Sequence, residues 1–269
     1  MKSVLLYIDD QGPEPWAQVA LDITRAMDGY LRCLHVSSLS SFNIADAYGG
    51  VSAKHNFIVE AQRRGEKIRR QTKELLDKEE VNWDFIHIEG DPVNAVMRES
   101  SLQDITILGW PRGNSEKNRS RTLFGELLNN LRTPVLLQPH DLTGINLTQP
   151  AIICWNGSLE AANALRAALP LVKIANAAHI VSVGEGKENK IQPEAACEYL
   201  ARHGVDSQVH LLSSRNDHPS DMLISTAQNL EAGFMVAGAF GRNRVNEYLF
   251  GGVTRNLLLK CPFPVVFDR

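Results

Sequence analysis

The chain has 269 residues, 43% of them hydrophobic and 22% charged, with a net charge of −3 and a pI near 6.2. That composition excludes a disordered chain and leaves room for one large or two small globular domains. The charge is spread evenly between the halves, which excludes a basic tract of the kind that tracks nucleic acid or an anionic membrane.

The first segment, SVLLYID, is too short for a signal-peptide core and reads as a strand. No apolar run reaches the roughly eighteen residues of a membrane helix. PWAQVALDITRAMDG follows as a helix, and YLRCLHVSS as a second strand. A polar, Gly-containing stretch, SLSSFNIADAYGGVSAKHN, is long enough for a lid or a partner surface. A long helix is expected over residues 57–80, with Ile58, Ala61, Ile68, Thr72, Leu75 and Leu76 on one side and charges on the other. FIHIEG, DPVNAVMRESSL with Pro92 in its opening turn, DITILGW, LFGELLNNL and PVLLQP complete five strands with their helices.

DLTGINLTQP then reads as a linker, after which the same order begins again. AIICWNG matches SVLLYID, and EAANALRAALPLV matches the first helix. HIVSVGEG, CEYLARHG, VDSQVHLLSS, HPSDMLISTAQNLEAG, FMVAGAFG, GGVTRNLLLK and PFPVVFDR supply the rest. Both halves end on a strand running into Gly, a polar loop, Leu-Phe-Gly, a helix and then Pro-Val before the last strand. The organisation read from this repeat is α/β: two tandem, doubly wound, five-stranded parallel-sheet domains of Rossmann-like type, over residues 1–140 and 151–269 with a linker at 141–150. The second copy lacks the long charged helix.

Four widely spaced cysteines, Cys33, Cys154, Cys197 and Cys261, form neither a zinc pattern nor a disulfide framework. His35, His87, His179 and His210 fall on or beside strands, spaced as single core or rim residues, and no two make a ligand pair at helical spacing; no metal site is read from them. No Ser/His/Asp or Cys/His order supports nucleophilic catalysis.

The stretch that carries chemistry is Gly238-Ala-Phe-Gly241-Arg242, continuing to Gly251-Gly252-Val253-Thr254. This G-x2-G-x9-G pattern lies between an apolar strand and a helix. Glycines there let backbone N–H groups approach a phosphate, and the helix start adds unpaired N–H groups and a favourable dipole. Arg242 adds positive charge. The pattern is neither a Walker loop nor the dinucleotide G-x-G-x-x-G.

This spacing resembles the nucleotide-binding motif of the universal stress protein (UspA) family, and each half resembles one UspA domain of the adenine nucleotide alpha hydrolase-like class. The resemblance implies ATP, with Mg2+, over the carboxyl ends of the strands, held in the second half by Asn156, Val183, Gly238, Gly241, Gly251, Gly252, Val253 and Thr254, with Arg242 beside the phosphates. Asn156 stands where the family usually has Asp, and Gly252 where Ser is common. In the first half Asp9 sits at the nucleoside position, but Arg112 replaces the second glycine and Glu126 follows Gly125 at the expected helix start. That half is expected not to hold ATP in the family manner.

The resemblance further implies a cytoplasmic stress-response protein that binds an adenine nucleotide and catalyses little or nothing. It implies an internal pseudo-dimer joined through PVLLQ and PVVFD and leaves a homodimer open, with no nucleic acid or membrane as partner. The alternative is an interaction protein of the same fold that binds no nucleotide and works through residues 40–80.

Overall fold

The computed structural model describes residues 1–14, 16–38, 50–110, 117–139, 142–184, 190–213, 218–239 and 252–269. Two compact units result, the first carrying the elements from the N-terminal strand to residue 130 and the second those from residue 135 onward.

The first unit runs β1 (Ser3–Ile8), α1 (Ala17–Ala26), β2 (Tyr30–Ser38), α2 (Gly50–Leu76), β3 (Asn82–Gly90), α3 (Pro92–Ser100), β4 (Ile105–Trp110) and α4 (Lys117–Asn130). Its strands lie parallel in the order β3-β2-β1-β4. Val4, Leu5, Leu6 and Ile8 of β1 are all fully buried, as expected of a central strand covered on both faces. α1 turns Val19, Ala20 and Ile23 inward and ends where Asp28 takes a positive φ and the Gly29 N–H closes on the Thr24 carbonyl at 2.8 Å. The Asp91 carboxylate caps α3 by accepting from the Asn94 N–H at 2.8 Å, and Pro92 occupies the first turn.

Two helices begin earlier than the sequence pattern suggested. α2 starts at Gly50 rather than at 57, and buries Gly65, Ile68, Thr72 and Leu76 at helical spacing. Residues 39–49 of the polar stretch lie outside the described residues. α4 starts at Lys117, so Gly125 and Glu126 lie well inside it and Glu126 is exposed. The carboxylate expected at that helix start is therefore not at a helix start.

The second unit holds β5 (Val135–Pro139), β6 (Ala151–Trp155), α5 (Leu159–Val172), β7 (Ala178–Val183), α6 (Pro193–Arg202), β8 (Ser207–Leu212), α7 (Pro219–Asn229), β9 (Phe234–Gly238), α8 (Gly252–Lys260) and β10 (Val265–Asp268). The strand order is β5-β10-β9-β6-β7-β8. All neighbours from β10 to β8 are parallel. β5 pairs with β10 antiparallel, Val135 opposite Phe267, Leu136 opposite Val266 and Leu137 opposite Val265. The strand edge of PVVFD is thus covered by PVLLQ from the same chain, which removes an edge open to intermolecular pairing.

The segment read as a linker is packed. Ile145 and Leu147 are buried, the Asn176 N–H donates to the Thr148 carbonyl at 3.0 Å, and the Gly233 N–H donates to the Pro150 carbonyl at 2.9 Å. Two apolar residues in a polar run are enough to seat it against the base of the second sheet.

Candidate functional site

In the second unit the chain leaves β6 toward β7 on one side, and leaves β9 toward β10 on the other. The carboxyl ends of the adjacent strands β6 and β9 therefore form a topological switch point, the place where open α/β sheets take up ligands. Asn156 and Gly238 stand at those two ends, and α5 and α8 each begin just beyond the carboxyl end of a strand there.

After Trp155 the chain makes a tight turn. The Asn156 side-chain carbonyl accepts from the Ser158 N–H at 3.1 Å, Gly157 takes φ +70°, and the Ser158 hydroxyl caps α5 by accepting from the Ala161 N–H at 3.2 Å. Asn156 is exposed, and its NH2 group has no partner among the described residues. Lys190 and Ile191 lie across this turn: the Trp155 indole N–H donates to the Ile191 carbonyl at 3.0 Å, and the Ile191 N–H to the Gly157 carbonyl at 3.1 Å. A side chain at Gly157 would meet the Ile191 carbonyl at 2.6 Å, so glycine is required there by both φ and space.

Gly238 has a structural reason of its own. A Cβ at this position would sit 2.5 Å from the Ala161 nitrogen and 2.7 Å from the Glu160 carbonyl carbon, so the glycine lets the first turn of α5 lie directly on β9. Asp268 is opposite Gly238 in register, and the Asp268 carbonyl accepts from the Ala239 N–H at 2.7 Å. Burial raises the Asp268 carboxyl above the usual range, against the opposing pull of Arg269 and Arg166. Pattern reading missed this residue because one Asp at a chain's end carries no spacing signal.

Gly252 opens α8, exposed, with no described residue within 4 Å of where a Cβ would be. Val253 is half-buried, and Thr254 is buried inside the first turn. Val183 ends β7, half-buried, next to Gly184 at φ +92°. Gly241, Arg242 and Gly251 lie outside the described residues. Open space at a helix start that has no acidic residue in its first turn suits an anion, so the described residues fit a phosphate there.

The corresponding glycine in the first unit is packed by a side chain rather than by backbone. A Cβ on Gly109 of β4 would overlap the indole of Trp16, which is 3% exposed. The ring over this glycine thus comes from the residue before α1. Asp9 accepts from the Gln11 N–H at 2.9 Å in a turn of its own. Asp10 pairs with Arg64 of α2 at 2.6 Å, and its other oxygen lies 3.6 Å from His35 Nε2. His35 is fully buried. Its Nδ1–H donates to the Ile8 carbonyl at 3.0 Å, which leaves Nε2 as the acceptor in the neutral ring. Ser37 lies between His35 and His87, with its hydroxyl 2.9 Å from His87 Nε2, and the two rings stack with centroids 5.3 Å apart. Burial lowers the His35 pKa, helped by His87 and Arg64 and opposed by the Ile8 carbonyl and Asp10.

All four cysteines are free thiols, and burial pushes Cys261 up to about 12. No described helix is long and apolar enough to cross a membrane.

Residues 160–269 match the Universal stress protein family. That segment takes in α5 and every later element, including Gly238 and the α8 start, but stops short of Asn156. The likeness of fold to known structures runs further than the family match. A universal stress protein from Archaeoglobus fulgidus DSM 4304 is 19% identical, with 98% of this chain and 96% of that one covered and a TM-score of 0.76. A functionally unknown protein from Pseudomonas aeruginosa PAO1 is 16% identical, with 100% and 92% covered and a TM-score of 0.59. At these identities the likeness is one of fold: the α/β, Rossmann-like architecture of the universal stress proteins, over both units. No curated protein sequence matches the chain.

Proposed function

We propose that the chain is a tandem universal stress protein, a cytoplasmic stress-response factor whose second copy binds an adenine nucleotide, ATP with Mg2+, and whose first copy does not. The observation that carries the reading is the coincidence of a family match at 160–269 with the topological switch point at β6 and β9. Asn156, Val183, Gly238, Gly241, Gly251, Gly252, Val253 and Thr254 would hold the nucleotide, with Arg242 at the phosphates. The Asn156 NH2 group is free to meet a ribose hydroxyl or base acceptor, while the α8 start faces the phosphates. Binding rather than turnover is the expected activity, because the sequence motif supplies a phosphate cradle without a general base for an attacking water. In the first copy Trp16 packs on Gly109 and Asp10 is paired with Arg64, and the glycine spacing of the second copy is lost.

Gly252→Asp tests the site cleanly. The new side chain has room, and an acidic residue in the first turn of a helix is neutral or favourable for stability, yet it sets a negative charge against the phosphates. Wild type is expected to bind ATP with Mg2+ in equilibrium dialysis and the variant to lose most of that affinity; equal affinity would overturn the assignment.

One observation favours a second reading, in which α2 is the working surface. Arg63, Lys67, Arg69 and Arg70 are exposed on α2 and make no ion pair among the described residues, in a chain of net charge −3. Such a face suits an acidic partner segment. Purified protein that carries no nucleotide and shows no thermal shift with ATP and Mg2+ would favour this interaction protein over a nucleotide binder.

A further inference from the structure

His179 and His210 are thirty-one positions apart, yet adjacent strands bring their rings together. His179 Nδ1 lies 3.1 Å from His210 Nε2, with ring centroids 5.1 Å apart and planes inclined at 62°. Register places Gln208 directly opposite His179, and His210 two residues further on, so all three project from one face. Gly238 shares its face with Val236, which is level with Ile153 and hence with Ile180. His179 therefore lies on the opposite face, near the amino end of β7, away from the strand ends that form the nucleotide site.

We propose that His179 and His210 form a two-nitrogen site for a divalent transition cation of the Zn2+, Cu2+ or Ni2+ class. A tetrahedral ion with metal–nitrogen bonds of about 2.0–2.1 Å holds two ligand nitrogens roughly 3.3 Å apart, close to the separation found. The pair thus needs only a small ring rotation to turn from facing each other to facing a shared ion. Imidazole nitrogens select this class over Mg2+ or Ca2+, which prefer oxygen. Both rings must present a lone pair, so His179 takes the Nε2–H tautomer and His210 the Nδ1–H tautomer when the ion is bound. Burial and the neighbouring His210 lower the His179 pKa. No group of three His, Cys, Asp or Glu side chains surrounds the pair among the described residues, so the remaining positions fall to water and to Gln208, whose side chain is exposed on the same face.

The competing account is a plain histidine–histidine hydrogen bond. Zn2+ titration by calorimetry on the full chain separates the two, using His179→Gln and His210→Gln, which keep a polar side chain of similar reach, and His203→Gln as a control. Losing even an outer-shell partner of a metal site costs about 10–100-fold in affinity, so each of the first two variants is expected to weaken binding at least that much, and the control to leave it unchanged. Absence of one-equivalent binding in wild type, or wild-type affinity in both variants, overturns the site. Should either variant fail to fold, imidazole resonances in the wild-type protein decide: those of His179 and His210 are expected to shift with Zn2+, and shifts confined to other histidines refute the proposal. ATP plays no part in this experiment, so its outcome is independent of the nucleotide site.

Discussion

Glycines at the strand ends show how one residue type serves different ends. Gly238 was read from sequence as a point of close approach for a phosphate, but its missing Cβ is what admits the first turn of α5. Gly238→Ala is therefore expected to destabilise the fold by about 1–3 kcal/mol, the usual cost of forcing extra volume into a packed contact. Chemical denaturation measures this directly; unchanged stability would return the glycine to a purely ligand-facing role. Gly252 is the reverse case, with no described residue packed where its Cβ would lie. The two residues look alike in the motif, and only their neighbours tell them apart.

At the scale of elements, α2 meets the β2–β3 pair through buried polar groups. Gly65 admits the His87 ring, Arg64 neutralises Asp10, and His35 and Ser37 are covered completely or nearly so. A buried neutral histidine makes this packing sensitive to acid. Its folded pKa lies below the ordinary value near 6.5, so in the range beneath that value the unfolded chain binds more protons than the native one, and stability falls as pH drops. Urea denaturation between pH 7.5 and 5.5 is expected to show this loss, and His35→Asn, whose amide can still donate to the Ile8 carbonyl, is expected to flatten it. An unchanged slope in that variant would assign the acid sensitivity elsewhere, with His179 next in line. The long helix itself was legible from its apolar spacing. That it starts at Gly50, and that its polar inner side meets a histidine pair, was not, because cross-strand neighbours are set by register rather than by distance along the chain.

For the molecule as a whole, the last strand of the first copy of the repeat also serves the second copy. β5 closes the first copy in sequence but pairs antiparallel with β10 in the second unit. A fragment of residues 134–269 is accordingly expected to be more stable, and less prone to aggregate, than one of residues 151–269, which leaves the Val265–Phe267 edge of β10 unpaired and also lacks buried Ile145 and Leu147. Thermal unfolding and light scattering on the two fragments check this, and equal behaviour would mean that β5 contributes nothing to the second unit. The alternation of apolar strands and amphipathic helices, the Pro and Asp helix starts and the Pro-Val endings determined the element order and the α/β class from sequence alone, because those signals are local. Only the tertiary structure decided which histidines meet, which glycine serves packing, what packs on Gly109 and that β5 pairs with β10. Each of these depends on strand order and register, which join residues tens to more than a hundred positions apart and leave no periodic trace in the chain.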